Sequence, residues 1–259
     1  AALAAKGKTY VCHECRSPLR VRSGAYRQPH FFHLSHNRQC RQSGKSAAHL
    51  RTQQRLFDLL PDGEAVIECR FASINRIADI AWIPKRIIFE VQCSPITAQE
   101  VDSRNRDYRS EGFQTVWILH DRRFKRYRAS AAENLLTTSP CYFTNINSQG
   151  EGMIYDQCAP IAKGIRRNHS MPLPVNLAQP LPVPDTKTPY PHINNRLATW
   201  PLCFQGDLIN RYHENPSAWR FLEKAAAAKE FRQNSQLLKR FIVDPYLNVL
   251  GLLLKILAL

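Results

Sequence analysis

Hydrophobic and polar positions alternate most clearly between Ile77 and Cys93, where two short apolar runs carry polar residues on one side. Strand side chains alternate faces, so Ile88, Glu90 and Gln92 point one way and Ile87, Phe89, Val91 and Cys93 the other. Pro84, Lys85 and Arg86 supply a tight reversal that brings Asp79 of the first run close to Glu90 of the second. Strands are predicted at 65–71, 76–83 and 87–93, and again from Thr115 to Leu119. Leu50, Gln53, Leu56, Phe57 and Leu60 recur at helical spacing, which predicts a helix from Ser46 to Leu60 with Pro61 after its end. A second helix is predicted from Thr97, with Glu100 three residues on as a capping box, to Gly112 as its stop. The order is αβββαβ, an α/β fold.

Ahead of this unit the chain reads as a small strand-rich module: Thr9 to Val11, a Cys-x-x-Cys knuckle, Leu19 to Arg22, a Ser23-Gly24 turn and Ala25 to Phe32. A module of this size lacks a core of its own and needs a staple. Beyond about residue 145 the periodicity weakens. Eight prolines between Met171 and Pro201 predict an extended linker or wrapping arm, either disordered or laid along another surface. Asn215 and Pro216 then open a predicted helix reaching Phe241, stopped by Pro245. The apolar tail from Tyr246 to Leu259 is expected to pack on the domain or on a partner, since 14 residues do not span a bilayer. The partition is thus 1–44, a β module; 45–145, the α/β domain; 146–205, a proline-rich linker or arm; and 206–259, a helical C-terminal region.

The formal net charge of +15 points to a polyanionic partner, and residues 1–55 carry +10 of it: eleven Lys or Arg against Glu14 alone. Nucleic acid is the leading partner, because Lys and Arg displace counterions from phosphates. An anionic membrane surface fits less well, as these charges follow no amphipathic helix. Of eight cysteines only Cys12, Cys15 and Cys40 cluster, which is no disulfide framework, so a reducing cytoplasmic compartment is expected. No apolar run approaches the roughly 20 residues of a membrane span. The chain opens on Ala rather than Met, so its natural beginning is expected upstream.

Two constellations carry chemistry. Cys12 and Cys15 can clamp one side of a zinc ion, and His33 with Cys40 the other, with His30 or His36 as substitutes; such an ion would staple the module. The plainer reading leaves the two thiols buried or redox-active and the histidines on the basic surface. Asp79 and Glu90 sit among Ile, Phe, Trp and Val, where a carboxylate is costly unless paired, hydrogen-bonded or bound to metal. A divalent cation resolves that conflict in the manner of a metal-dependent nuclease. The plainer alternative pairs Asp79 with Arg76 or Arg104 and leaves Glu90 on a solvated edge.

The residues Cys12-x-x-Cys15, His30-Phe-Phe-His33, His49, Asp79, Glu90-Val-Gln92-Cys-Ser94, Arg104, Tyr108 and Trp117-Ile-Leu, taken in order, resemble the competence protein CoiA family over roughly residues 9–120. The resemblance implies a zinc-binding amino-terminal module followed by a nuclease-like domain of the PD-(D/E)XK superfamily, with a restriction-endonuclease-like αβββαβ core. It implies a role in natural transformation or recombination, with Asp79 and Glu90 as ligands of Mg²⁺ or Mn²⁺. Gln92 then stands where many superfamily members have a catalytic Lys; it cannot act as a base, so it would orient water or substrate. His49 completes the expected catalytic set, and Glu68 is a further ligand to consider. Lys45, Arg51 and Arg104 are expected to meet the DNA backbone, Arg104 as a guanidinium suited to phosphate and Tyr108 as packing.

Family members often begin the first helix Glu-Ser-x-x-His-x-x-x-Lys, whereas here Lys45-Ser46-Ala47-Ala48-His49 is followed by Gln53. An acidic ligand is replaced by a base, and a helix Lys by a neutral residue. The expected function is a metal-dependent deoxyribonuclease acting on single-stranded or branched DNA; the alternative is a non-catalytic DNA-binding adaptor that recruits uptake or recombination proteins. An RNA-binding zinc protein is a third, weaker reading.

Overall fold

The computed structural model describes residues 7–12, 15–24, 27–35, 40, 45–167, 170–217, 235–236 and 239–247. Strands β1 (Tyr10–Val11), β2 (Pro18–Gly24) and β3 (Arg27–His33) form an antiparallel sheet in that order. Their register sets Leu19 between Tyr10 and His33, and so carries His33 to the end of the sheet that holds the cysteine knuckle.

Helix α1 (Ala47–Leu59) begins at Ser46, whose hydroxyl accepts the His49 N–H at 3.2 Å and satisfies one of the free donors of the first turn. Strands β4 (Ala65–Phe71), β5 (Arg76–Trp82) and β6 (Ile87–Gln92) follow, then α2 (Ala98–Ser110) and β7 (Gln114–His120). The element order of this stretch is the αβββαβ read from the pattern. Thr97 caps α2 by accepting the Glu100 N–H, but Glu100 turns its carboxylate to Arg76 and Arg104 rather than back to the cap.

The sheet continues past residue 145, where the sequence pattern fades. After the short helices α3 (Asp121–Phe124) and α4 (Ala131–Leu136) come β8 (Cys141–Thr144), β9 (Ile154–Asp156), the pair β10 (Ile161–Ala162) and β11 (Ile165–Arg166), and β12 (Leu173–Pro174). The main sheet has seven strands in the order β12-β9-β8-β7-β6-β5-β4, with β6, β7 and β8 parallel and the remaining pairs antiparallel. The added strands are two to four residues long, too short for a period of two to register.

The proline-rich stretch is an arm packed on this sheet, and it holds regular structure that the proline count seemed to forbid. Strand β13 (Asn176–Leu181) pairs with β14 (Cys203–Gln205), and helix α5 (Pro191–Thr199) lies between them, followed by α6 (Leu208–Glu214). Two prolines are placed where the missing N–H is harmless: Pro191 opens α5, and Pro180 sits at the register shift of β13. Leu177 and Phe204 are fully buried in one cluster with Leu56 of α1 and Ile80, Phe89 and Tyr142 of the sheet. The Phe204 ring lies 6.2 Å from Phe89 and 5.8 Å from Tyr142. Arg196 of α5 grips the buried Asp156 of β9 with both terminal nitrogens, at 2.5 and 3.0 Å. Thus α1 and the arm cover one face of the sheet, while Val101 and Tyr108 of α2 are buried against the other.

Asn215 closes α6 as its C-cap, and a helical trace begins at Pro216–Ser217, where Asn215 and Pro216 were expected to open a helix. Residues 218–234, 237–238 and the tail from Asn248 to Leu259 lie outside the described residues, and with them most of the predicted C-terminal helix and apolar tail. Among the described residues no helix is long and apolar enough to cross a membrane.

Candidate functional site

Cys12, Cys15, His33 and Cys40 come together with their ligand atoms all within 4.8 Å of one another. Cys12 Sγ lies 3.7 Å from Cys40 Sγ, and Cys15 Sγ lies 3.2 Å from His33 Nε2. A tetrahedral zinc with Zn–S bonds of about 2.3 Å sets its sulfurs about 3.8 Å apart, so the spacing fits the ion. Hydrogen bonding from Ser17 draws the Cys15 thiol down to about 6, with smaller help from Cys40 and Cys12 against burial, which favours the thiolate that metal binding needs. This cluster can hold a metal such as zinc. The side chain of His30 and the whole of His36, the substitutes considered, lie outside the described residues.

The second site is built where β5 and β6 part. Their ladder runs from Trp82 opposite Ile87 to Ile80 opposite Phe89 and then opens. In the opening Asp79 Oδ2 accepts the Val91 N–H at 2.8 Å, taking up a donor that the ladder no longer pairs. On the other side of β5 the register flanks Asp79 with Glu68 of β4. Glu68 adopts a φ of 54°, a left-handed conformation that costs a non-glycine residue about 1–3 kcal/mol and that clusters at functional sites. A cleft of about 490 Å³ opens here, lined among others by Lys45, His49, Glu68, Asp79, Gln92 and Arg104.

The buried carboxylates are satisfied by the chain itself. Lys45 Nζ donates to Asp79 Oδ1 at 2.7 Å and also to Glu68 Oε1. His49 Nε2 lies 3.1 Å from the same Asp79 oxygen, and Gln53 donates to Glu68 Oε1 and to the Asp79 carbonyl, each at 2.7 Å. Glu90, 1% exposed, lies behind the cleft wall, where Arg104 donates to Oε2 at 2.6 Å and Tyr108 to Oε1 at 2.7 Å. The plainer pairing expected for Asp79, with Arg76 or Arg104, is not the one found. Arg76 binds Asp107 and Glu100 of α2, and Arg104 of α2 binds Glu90 of β6 and Glu100 of its own helix. Nor is Glu90 on a solvated edge.

Electrostatics separates the two carboxyls. Burial opposes charge on Asp79, yet the hydrogen bond and charge of His49, with Lys45, hold it well below the usual carboxylate range. Burial dominates at Glu90 and raises it, with Arg104 offsetting only part and Asp79 adding to the rise. Burial also opposes charge on Lys45, but Asp79 and Glu68 outweigh it and raise the ammonium above its ordinary value. Tyr108 is pushed up by burial and by Glu90, so it remains a hydroxyl donor. Carboxyls pushed apart in this way suit a site where one anchors charge and another is held in reserve.

Two family models match the chain: the nuclease-like domain of competence protein CoiA over residues 45–177 and the CoiA N-terminal domain over residues 1–43. The chain belongs to the competence protein CoiA family. Comparison with curated proteins and with solved structures gave no match. The CoiA nuclease-like match runs from Lys45, ahead of α1, through β13's opening residues, and so contains the whole cleft.

Within this CoiA-family domain Asp79, His49, Lys45, Gln92 and Arg104 line one cleft, with Glu90 just behind Arg104. Gln92, expected to orient water, donates its amide to the Ser94 carbonyl and hydroxyl at 2.8 and 3.1 Å. Arg51, expected on DNA, lies half-buried on α1 and does not line the cleft. Tyr108, read as packing, is a donor to Glu90. Lys45, read as a DNA contact, is the ion-pair partner of two carboxylates; its position one residue before the helix cap was legible, but the fold alone brings β4 and β5 beneath it. Oxygen-only carboxylate donors are the right chemistry for Mg²⁺ or Mn²⁺. Glu68 and Asp79 are therefore suited to such an ion in kind, with the Lys45 ammonium seated on their oxygens.

Proposed function

We propose that this chain is a metal-dependent deoxyribonuclease that acts on single-stranded or branched DNA during natural competence or recombination, on a restriction-endonuclease-like core. The observation that supports this most is the convergence of Glu68 and Asp79 with Lys45, His49 and Arg104 on one open cleft, with Glu90 directly behind. Mg²⁺ or Mn²⁺ held by Asp79 and Glu68 would supply an acidified water and neutralise phosphate charge, and Glu90, expected as a ligand, would join them only by giving up Arg104 or Tyr108. His49, on the cleft side of α1, lies 3.1 Å from Asp79 Oδ1 through Nε2 and would hold that carboxylate in place for the ion. Arg104 and Arg76 line the same cleft and offer planar guanidinium donors to the phosphate. The basic amino-terminal module, held by its Cys and His cluster, would grip the backbone without reading sequence.

One observation favours a second reading. Lys45 donates to both Asp79 and Glu68 and offsets their charge, which fits a nuclease-like fold kept as a DNA-binding adaptor. Asp79→Asn separates the two readings. In the nuclease reading it lowers cleavage of labelled DNA in Mg²⁺ by more than about a hundredfold while a gel-shift affinity at fixed salt stays within a few-fold. An unchanged cleavage rate in the variant would remove Asp79 from the reaction.

A further inference from the structure

We infer that Lys45 is a built-in competitor of the divalent cation: its ammonium occupies the Glu68–Asp79 seat in the resting cleft and must be displaced before a metal binds there. The inference rests on the proposed metal-dependent function but concerns binding alone. Lys45 Nζ donates to Asp79 Oδ1 and to Glu68 Oε1, so one cation already bridges the carboxylates of two adjacent strands. A hard divalent ion would need the same oxygens at about 2.0–2.6 Å, and two cations sharing two oxygens repel at short range.

Charge counting points the same way. Three carboxylates line the cleft, Glu68, Asp79 and Glu100, and three cations face them, Lys45, Arg76 and Arg104. The wall is formally neutral with Lys45 in place, and Glu90 behind it adds one negative charge. Departure of Lys45 makes the lining one charge more negative, which favours a divalent ion in its place. The two arginines are each held by two acids, as Lys45 is. Lys45 differs in its anchorage. It precedes the Ser46 cap of α1, so its backbone stands outside the helix, and its flexible stem can swing the ammonium into the cleft opening. Gln53 also donates to Glu68 Oε1 but is neutral and 3% exposed, so it supports the carboxylate without competing for it.

The test is calorimetric titration of Mn²⁺ into the zinc-loaded full chain, without DNA, for the native protein, Lys45→Gln and Lys45→Glu. Loss of the competing ammonium should tighten Mn²⁺ binding about tenfold in Lys45→Gln, and the extra carboxylate of Lys45→Glu should carry it to about a hundredfold, at 1.4 kcal/mol per tenfold. A variant that binds Mn²⁺ no more tightly than the native chain overturns the inference, as does the absence of Mn²⁺ binding from all three. A second measurement needs no variant. Acylation of the Lys45 amine, followed by peptide mass spectrometry, should quicken several-fold when saturating Mn²⁺ is added; an unchanged rate at saturation contradicts displacement. A chain that binds metal in this way but cuts no DNA leaves the inference standing and removes the nuclease reading. Cleavage alongside an unchanged affinity in Lys45→Gln does the reverse.

Discussion

Arg104→Ala should lower the unfolding free energy by about 3–5 kcal/mol, the usual cost of removing one partner from a buried ion pair. Glu90 is 1% exposed and takes its two donors from α2, at 2.6 Å from Arg104 and 2.7 Å from Tyr108. Without the guanidinium the carboxyl keeps the Tyr108 donor and loses the cation that opposes its burial. Its pKa, already raised by burial, then rises further. A raised carboxyl contributes stability that is present below its unfolded pKa and lost as pH rises through the folded one. The deficit of Arg104→Ala relative to the native chain should therefore widen as pH rises through the raised folded pKa of native Glu90, above the ordinary glutamate range. Tyr108→Phe removes only a neutral donor and should cost less, about 1–3 kcal/mol. Urea unfolding of the three proteins at two pH values measures this, and an Arg104→Ala deficit below about 1 kcal/mol would mark the pair as no stronger than a surface salt bridge.

Loss of metal should have the second large effect, confined to the amino-terminal module. Among its described residues Val11 and Phe31 are exposed, and a module this small needs a staple, so the ion is expected to supply folding free energy; structural zinc contributes about 10–16 kcal/mol in small modules of this kind. Cys12→Ser should reduce bound zinc from one equivalent to nearly none, and a chelator should do the same to the native chain. Proteolysis should then cut within residues 1–44 while the α/β domain stays intact. A Cys12→Ser protein with full metal content would overturn this ligand assignment.

The sequence made the centre of the fold legible because its strands are long enough to alternate. Ile87 to Gln92 shows which side carries Glu90, and the Pro84-Lys85-Arg86 reversal fixes its partner strand. Thr97 announced the second helix, since a cap is a local device, and the spacing of Leu50, Gln53, Leu56, Phe57 and Leu60 the first. The arm was not legible in the same way. Leu177 and Phe204 are core residues, but they lie in segments of six and three residues broken by prolines, and only tertiary contact with Phe89 and Tyr142 gives them an inside. The site divides along the same line. Asp79 and Glu90 could be read as a pair from alternation, whereas their partners could not, because Lys45, Glu68 and Arg104 arrive from three other elements. The departure at position 45 was visible as an acid-to-base exchange; that the base would sit on the carboxylates themselves required the fold.

The pattern at positions 45 and 53 has a consistent physical meaning. Lys45 and Gln53 both donate to Glu68 Oε1, so the charge that family members often place on the helix at the later position is supplied here from just ahead of the helix. One ammonium still serves the carboxylates, but from a stem with more freedom.

The cleft at Asp79, with Glu90 behind it, is proposed to cut DNA with a divalent cation. The most direct test is the cleavage of end-labelled single-stranded and duplex DNA in Mg²⁺ and in Mn²⁺ by the native chain and by Glu90→Gln, which keeps an oxygen to accept from Arg104 and turns its amide to the Tyr108 hydroxyl oxygen. Metal-dependent cutting by the native chain that disappears in the variant is the predicted result. DNA binding without cutting by the native chain in either metal would contradict the claim, leaving a nuclease fold that holds DNA and does not cleave it.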